Sequence, residues 1–397
     1  MHPSESIRGM KSARLKDKRI VLAITGSIAA VECLELAREL VRHGADVHAV
    51  LSKDGAKLIT PWAMEFATGH PAIVELDGRV QHVDLLGDSP DRADLLLIAP
   101  CTANTLSKVA VGIDDTPVTT MATIALGTGV PMLIAPAMHA SMLHNPFVQE
   151  NIARLKGVGV GFIGPRMEGK KAKIADNEEI VARVIRTLNG GGYEGKKVLV
   201  IGGSSEEPID DMRIITNRGT GETAVELAKA AFFQGAEVEL WMGRCQIPLP
   251  NYIPTKRFVT VEDLLGLVDG LDHDLVLVPA ALSDYAPSRK KGKMASDQGG
   301  MTLELRAVPK VLPKIVGKSK VVGFKAESGV RDEELISRAM ERLERHGLDA
   351  MVANDLRNVR MGTTEVYLVE RGSNPIMLKG NKSEVAWSIM TELRGLL

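Results

Sequence analysis

Between Lys197 and Glu222 the chain reads KVLVIGGSSEEPIDDMRIITNRGTGE. Glycines, carboxylates, arginines, hydroxyls and an amide crowd into one stretch, and together such groups can hold a phosphate. Val198–Ile201 reads as a buried strand and Gly202-Gly203-Ser204-Ser205 as a turn. Where a simple strand–turn–helix unit would begin its helix, the chain instead carries Glu206, Glu207, Pro208, Asp210, Asp211 and Arg213, then Thr216-Asn217-Arg218-Gly219-Thr220-Gly221. A helical pattern starts only afterwards, with Ala224, Leu227, Ala228 and Ala231. Free N–H groups at a helix N-terminus favour anionic oxygens, so two turns opening a helix read as a phosphate-binding arrangement. A lone Gly-Gly turn is also an ordinary N-cap, but a mere connection rarely needs so many charges.

A second concentration lies earlier. Two apolar strands, Ala93–Ala99 and Val130–Ala135, each run into a proline and small residues: Pro100-Cys101-Thr102-Ala103-Asn104-Thr105 and Pro136-Ala137-Met138-His139. Small residues beyond a strand let a flat ligand approach the backbone, so the pair reads as a binding site. His82, before Val83-Asp84-Leu85, reads on its own as a surface residue at a strand end.

The elements that must position these residues follow a repeated order. Arg19–Ile24 is a strand, Thr25–Ala30 a turn, Val31–Arg42 a helix ending near Gly44, and Asp46–Leu51 a second strand with Ser52 just past it. This is the start of an open parallel sheet, whose ligands sit beyond the carboxyl ends of strands. Asn189-Gly190-Gly191-Gly192 signals a linker, and strand, turn, helix and strand then begin again at Lys197. Further strands are expected at Glu237–Met242, Leu275–Pro279, Val321–Phe324, Ala350–Ala353 and Glu365–Val369, with helices over Thr223–Phe233, Glu333–Arg345 and Lys382–Leu397. The fold class is α/β: two Rossmann-like domains, residues 18–188 and 197–397, joined by a linker at 189–196 and preceded by a mobile polar extension at 1–17.

Composition narrows the function. The chain has 397 residues, and its net charge of −1 and 4% aromatics point away from nucleic acid and from base stacking. Three scattered cysteines suggest neither a disulfide framework nor a structural zinc and fit a reducing cytoplasm. No apolar run approaches the ~20 residues that span a bilayer.

The ordered motifs together resemble the fused coenzyme A biosynthesis enzymes, in which a phosphopantothenoylcysteine decarboxylase is joined to a phosphopantothenate–cysteine ligase. The first half resembles flavin-dependent cysteine decarboxylases in TGSIAA at Thr25–Ala30, HVDL at His82–Leu85, PCTANT at Pro100–Thr105 and PAM at Pro136–Met138. The second resembles the ligase in EPIDxxRxITNRxxG across Glu207–Gly221, AAxxDY at Ala280–Tyr285, the Lys293 loop, GFKAE at Gly323–Glu327 and AND at Ala353–Asp355. The whole looks like an archaeal-type variant.

For the first half the resemblance implies a flavodoxin-like domain binding FMN through Gly26, Ser27, Ile28, Ser52, Pro100, Thr102, Ala103, Asn104, Pro136 and Met138. His82 is implied as the base, in a reaction that oxidises the cysteine thiol side to a thioaldehyde, loses CO₂ and returns the electrons. Two departures stand out. His139 replaces the asparagine that holds the substrate carboxylate in the family. The flap region Gly161–Asp176 also lacks the proton-returning cysteine, leaving Lys170, Lys171 or Lys173 as substitutes.

For the second half the resemblance implies activation of 4′-phosphopantothenate by CTP through an acyl-cytidylate, then attack by cysteine, with Mg²⁺ or Mn²⁺ assisting. Lys293 is implied at the triphosphate and Asp284 at the nucleotide or its cation. Ala280, Pro309, Lys310, Val311, Leu312, Phe324, Arg342 and His346 are implied around the nucleotide. Asn217 is implied at the acyl group, and Ser204, Arg213 and Arg218 at phosphate. The residues alone do not separate CTP from ATP. Two other readings remain: a flavoprotein of a different reaction, and a first half that binds without decarboxylating. The resemblance further implies a homo-oligomer, a dodecamer of trimers and dimers.

Overall fold

The computed structural model describes residues 2–168, 171–293, 302–355, 357 and 363–397. The chain divides into two compact units, Met1–Asn189 and Gly190–Leu397.

The first unit is built on β1 (Arg19–Ile24), β2 (Asp46–Leu51), β3 (Leu95–Cys101) and β4 (Met132–Pro136), with short strands β5 (Met138–His139), β6 (Gly161–Phe162), β7 (Arg166–Glu168) and β8 (Lys171–Lys173). Its main sheet has the order β2-β1-β3-β4-β6, and every pairing is parallel. Strands covered by helices on both faces must be apolar throughout, and RIVLAI and LLLIAPC are buried along almost their whole length. The strand order is the flavodoxin-like one, in which the chain crosses to the other side of β1 to place β3, opening a crevice beyond the β1 and β3 carboxyl ends. The helix expected at Val31 begins earlier, as a 3₁₀ turn over Ile28–Glu32 that continues into Cys33–Arg42.

The N-terminal residues differ from the extension expected. A helix over Pro3–Ile7 packs on the helices Cys33–Arg42 and Pro61–Thr68, and Ser4 and Leu15 are fully buried. Backbone bonds from Gly9 N–H to Val41 C=O (3.0 Å) and Leu15 N–H to His43 C=O (2.8 Å) fix the segment. Its polar composition concealed one apolar anchor and several backbone bonds.

The second unit has the strands β9 (Lys197–Gly202), β10 (Glu206–Pro208), β11 (Ile214–Thr216), β12 (Glu237–Met242), β13 (Thr255–Arg257), β14 (Leu275–Val278), β15 (Tyr285–Pro287), β16 (Leu305–Ala307), β17 (Lys320–Glu327), β18 (Ala350–Asp355), β19 (Thr364–Glu370) and β20 (Ile376–Gly380). Its main sheet runs β13-β12-β9-β14-β17-β18-β19-β20, parallel as far as β18 and antiparallel beyond it. Here too the order reverses at the first strand, with the crevice between β9 and β14. The polar insert is a small antiparallel hairpin of β10 and β11. The glycine-rich join is anchored by Tyr193, which is fully buried and donates from its hydroxyl to Met390 C=O at 2.6 Å.

Candidate active sites

In the first unit three loops at the carboxyl ends of neighbouring strands are tied together. Thr25, at the end of β1, donates from its hydroxyl to Pro100 C=O (2.7 Å) and accepts from Thr102 N–H (3.0 Å). Ala137 N–H, after β4, reaches Cys101 C=O at 2.9 Å. The β1, β3 and β4 loops, and with them Gly26, Pro100, Thr102, Pro136 and Met138, are thereby brought to one edge. Thr25 was not singled out in the sequence; its position directly after a buried strand in TGS was the available signal.

The backbone at this edge is shaped for close approach. A Cβ on Gly26 would lie 2.5 Å from Asp54 Cβ, and one on Gly55 would lie 2.7 Å from Ile24 C=O. Ser52 accepts from Gly55 N–H at 3.1 Å, which places the β2 loop beside the β1 loop. Ser27 stands at the N-cap of the 3₁₀ turn with no side-chain cap bond, and its own N–H donates to Thr25 C=O at 2.8 Å. Ile28 is 74% exposed. Thr102 caps the helix Ala103–Val111 by accepting from Thr105 N–H, which sets Ala103 and Asn104 in its first turn.

His82 lies within a helix, Gln81–Leu86, rather than at a strand end. The segment between β2 and β3 has no strand to precede it, because its apolar residues Leu85 and Leu86 turn inward at helical spacing. Its Nδ1 is buried and has no hydrogen-bond partner. His139 is exposed, and its Nδ1 accepts from Ser141 N–H at 3.3 Å and meets Ser141 Oγ at 2.9 Å. A ring nitrogen that caps a helix carries no proton, so Nε2 holds it and is the donor that remains. Asparagine is a favoured capping residue, and the imidazole takes over that cap while keeping a donor. The flap is an antiparallel hairpin of β7 and β8 that pairs with β5, setting Ala172 opposite Met138 and Lys171 opposite His139. Lys170 lies outside the described residues, and Lys173 is exposed. Neither cysteine of this unit makes up for the missing flap thiol. Burial pushes the Cys101 thiol up to about 12 and Cys33 higher still, so both stay protonated at neutral pH.

The second site is built at the β9–β14 crevice. Ala281 N–H donates to Gly203 C=O at 2.8 Å, Ser283 N–H donates to Ser205 Oγ at 3.0 Å, and Asn217 Nδ2 donates to Ala281 C=O at 3.0 Å. The glycine turn, the loop carrying Ala280 and Asp284, and Asn217 are therefore one assembly. Ser204 is fully buried and its Oγ lacks a partner, sitting where a Cβ on Gly219 would come within 2.7 Å. Ser205 and Ser283 were missed, although each follows a buried strand by a few residues.

Many charges of the insert brace the insert itself. Glu207, 3% exposed, accepts from Val261 N–H at 3.1 Å. Asp210 accepts from Met212 and Arg213 N–H and from the Arg213 guanidinium at 2.9 Å. Arg213 is thus tied to the turn, with its side chain 34% exposed. Asp211 accepts from Gly292 N–H (3.0 Å) and Arg289 (3.1 Å), docking the basic loop next to exposed Lys293. Arg218 is exposed.

Lys310 pairs with the Asp284 carboxylate. His346 has its pKa below the usual imidazole range, first through burial, then through the cations of Arg342, Arg345 and Lys310. His346 is thus kept neutral beside the Lys310 and Arg342 cations. Val311 is buried in the apolar core, with Ala280 and Leu312 packed against it, Pro309 precedes it, and Phe324 is half-buried.

Comparison with known proteins agrees with both halves. Residues 9–189 match the Flavoprotein family and residues 193–396 the DNA/pantothenate metabolism flavoprotein C-terminal domain. The chain is 45% identical over 405 residues to the coenzyme A biosynthesis bifunctional protein CoaBC of Thermococcus kodakarensis, covering 100% of both chains. It is 36% identical over 406 residues to that of Methanocaldococcus jannaschii, covering 100% of this chain and 98% of the relative. The Bacillus subtilis relative is 30% identical over 414 residues, with 96% and 98% covered. The chain belongs to the CoaBC family of bifunctional coenzyme A biosynthesis enzymes, an archaeal-like member whose first domain is a flavoprotein decarboxylase and whose second is a ligase.

Proposed function

We propose that the second domain joins cysteine to 4′-phosphopantothenate with CTP, through an acyl-cytidylate, and that the first decarboxylates the product to 4′-phosphopantetheine with FMN. The observation that carries the reading is the pair of crevices at reversed strand order, one lined by glycine, proline and small residues, the other by fixed donors and cations.

The first crevice fits FMN. Gly26, the Ser27 hydroxyl and Ile28 at the start of the 3₁₀ turn, with Ser52, suit a phosphate, and Gly26 and Gly55 let the β1 and β2 loops pack closely enough to bring these groups together. Pro100, Thr102, Ala103, Asn104, Pro136 and Met138 would lie along the ring system. FMN supplies reversible two-electron oxidation of the substrate's thiol side when bound. His82 accepts the substrate proton on its imidazole. His139 donates from Nε2 to the substrate carboxylate and orients it. Lys171 or Lys173, on the flap, returns a proton.

In the second crevice Lys293, Lys310, Arg342 and His346 take the triphosphate, and Asp284 supplies a hard oxygen for Mg²⁺ or Mn²⁺. Ala280, Pro309, Val311, Leu312 and Phe324 wall the nucleotide, while Ser204 and Arg218 meet the phosphate of phosphopantothenate. Asn217 donates to the acyl oxygen as charge develops there. The protein works in the cytoplasm, without nucleic acid or membrane, as a homo-oligomer of trimeric decarboxylase and dimeric ligase halves. A monomeric mass in solution would overturn the assembly.

The test is incubation with 4′-phosphopantothenate, cysteine and each nucleotide in turn, following pyrophosphate and CO₂ separately. Pyrophosphate with CTP and stoichiometric CO₂ are expected. Equal use of ATP overturns the nucleotide assignment, and amide product without CO₂ overturns the decarboxylase assignment.

A further inference from the structure

At the opposite end of the first sheet from the flavin crevice, three groups with metal-binding chemistry converge. Asp46 opens β2, His48 follows two residues on, and His70 comes from the loop after the helix Pro61–Thr68. His70 Nε2 lies 2.6 Å from Asp46 Oδ1 and His48 Nε2 lies 3.2 Å from Asp46 Oδ2. The two imidazoles are stacked, 4.1 Å between centroids and 17° between planes. One ligand atom from each of the three residues lies within 4.8 Å of the others.

The cluster is held in place by its surroundings. Thr68, fully buried, donates to Met64 C=O (3.0 Å) and accepts from His70 N–H (3.2 Å), while Gly69 ends the helix at φ 87°. His70 is therefore set by a locked helix end and His48 by the strand. Arg19 Nε donates to Asp46 Oδ2 at 3.2 Å, leaving Oδ1 as the ligand atom with a hydrogen-bonded partner oxygen. That is how metal-bound carboxylates are ordinarily supported. Glu5 also faces the cluster, but its carboxylate is held by Arg8 at 2.7 Å.

We propose that Asp46, His48 and His70 form a binding site for a divalent transition cation of the zinc class. A tetrahedral site with metal–nitrogen bonds of about 2.0–2.1 Å places its ligand atoms about 3.4 Å apart. The His70 Nε2–Asp46 Oδ1 pair opens by less than about 1 Å to meet this, and His48 closes on Oδ1 from within the 4.8 Å that already holds the three ligand atoms. Two imidazoles and one carboxylate select zinc-like ions over Mg²⁺, which takes oxygen ligands. The remaining position is open to water, because the side chains of Asp46, His48 and His70 are 29%, 20% and 36% exposed. The site lies at the amino end of β2, away from the carboxyl-end loops, so the ion braces β2 against the Pro61–Thr68 helix and takes no part in catalysis.

The experiment uses the full chain, stripped with a chelator and dialysed against Zn²⁺ in millimolar Mg²⁺. About one zinc per chain by mass spectrometry, with a raised melting temperature, is expected. His48→Gln and His70→Gln should each weaken binding by more than about 100-fold, whereas His144→Gln, which removes an exposed imidazole elsewhere, should leave it unchanged. Zinc bound equally by all four proteins means adventitious binding and overturns the proposal, as does a parent that binds none. Should the variants not fold, Co²⁺ added to the parent decides: visible ligand-field absorption supports the site, and a spectrum of hydrated Co²⁺ alone overturns it.

Discussion

The two crevices occupy the same place in their sheets, yet the second adds paired charges to its neutral ties. The first is held by neutral groups: the Thr25 hydroxyl, backbone carbonyls and a capping imidazole, with glycines that let neighbouring loops pack closely. The second is tied by neutral bonds of the same kind at Ala281, Ser283 and Asn217, and adds charges that satisfy one another, as in Asp210 with Arg213, Asp211 with Arg289 and Asp284 with Lys310. A planar, largely apolar ring system needs a close-fitting surface. A triphosphate and a developing oxyanion need donors fixed in advance, and fixing a donor requires a counter-charge. Charge density in the sequence therefore marks scaffolding as much as contact.

The largest effect should come from His82→Asn. If the two sites are independent, CO₂ release falls by about 10²–10⁴-fold, flavin absorption is retained and pyrophosphate formation is unchanged. Decarboxylation at the parent rate would remove His82 from the chemistry. A linked loss of ligase activity would end the picture of separate sites.

Next comes the division of labour within the charged crevice. Asn217→Asp should slow amide formation by about 10²–10³-fold while sparing nucleotide binding. Lys293→Gln should instead slow pyrophosphate release, by about 10–100-fold for one charge-assisted contact. Quenched reactions with and without cysteine separate the steps, and equal failure of both variants at the same step would refute the division.

A matched pair of stability variants tests the contrast in materials. Asp210→Asn weakens a buried carboxylate that accepts two backbone N–H groups and Arg213, and should destabilise the second domain by about 2 kcal/mol. Thr25→Val removes one neutral hydroxyl bonded twice, and should cost the first domain about 1–2 kcal/mol and loosen flavin binding. The Asp210→Asn loss should shrink in high salt and the Thr25→Val loss should not. Identical salt dependence in denaturant melts would contradict the contrast. The smallest change is expected for Tyr193→Phe, about 1 kcal/mol from the lost bond to Met390 C=O.

Much of this architecture is readable in the chain. Buried parallel strands announce themselves as unbroken apolar runs, so Arg19–Ile24, Asp46–Leu51 and Glu237–Met242 are found with their observed ends. The loops after β3, β4, β9 and β14 are legible for the same reason, since a strand's end fixes where its loop must emerge. His82 was misplaced because a six-residue helix has too few turns to show its period. The pairing of Arg213 with Asp210 was not legible, because a string of charges does not say which of them pair with each other.

The sequence by itself determined the α/β class, the main buried strands and the glycine, proline and small-residue loops that follow them, because local apolar runs and turn residues act over a few neighbours. Only the tertiary structure decided which strand lies beside which, and therefore that the loops holding Thr25, Pro100 and Ala137 meet at one edge. It alone brought Asp46, His48 and His70 together across 24 residues of chain, and it alone showed which charges are already committed to a partner. Pairing across a sheet and the satisfaction of buried polar groups depend on distance in space, and spacing along the chain carries no measure of that distance.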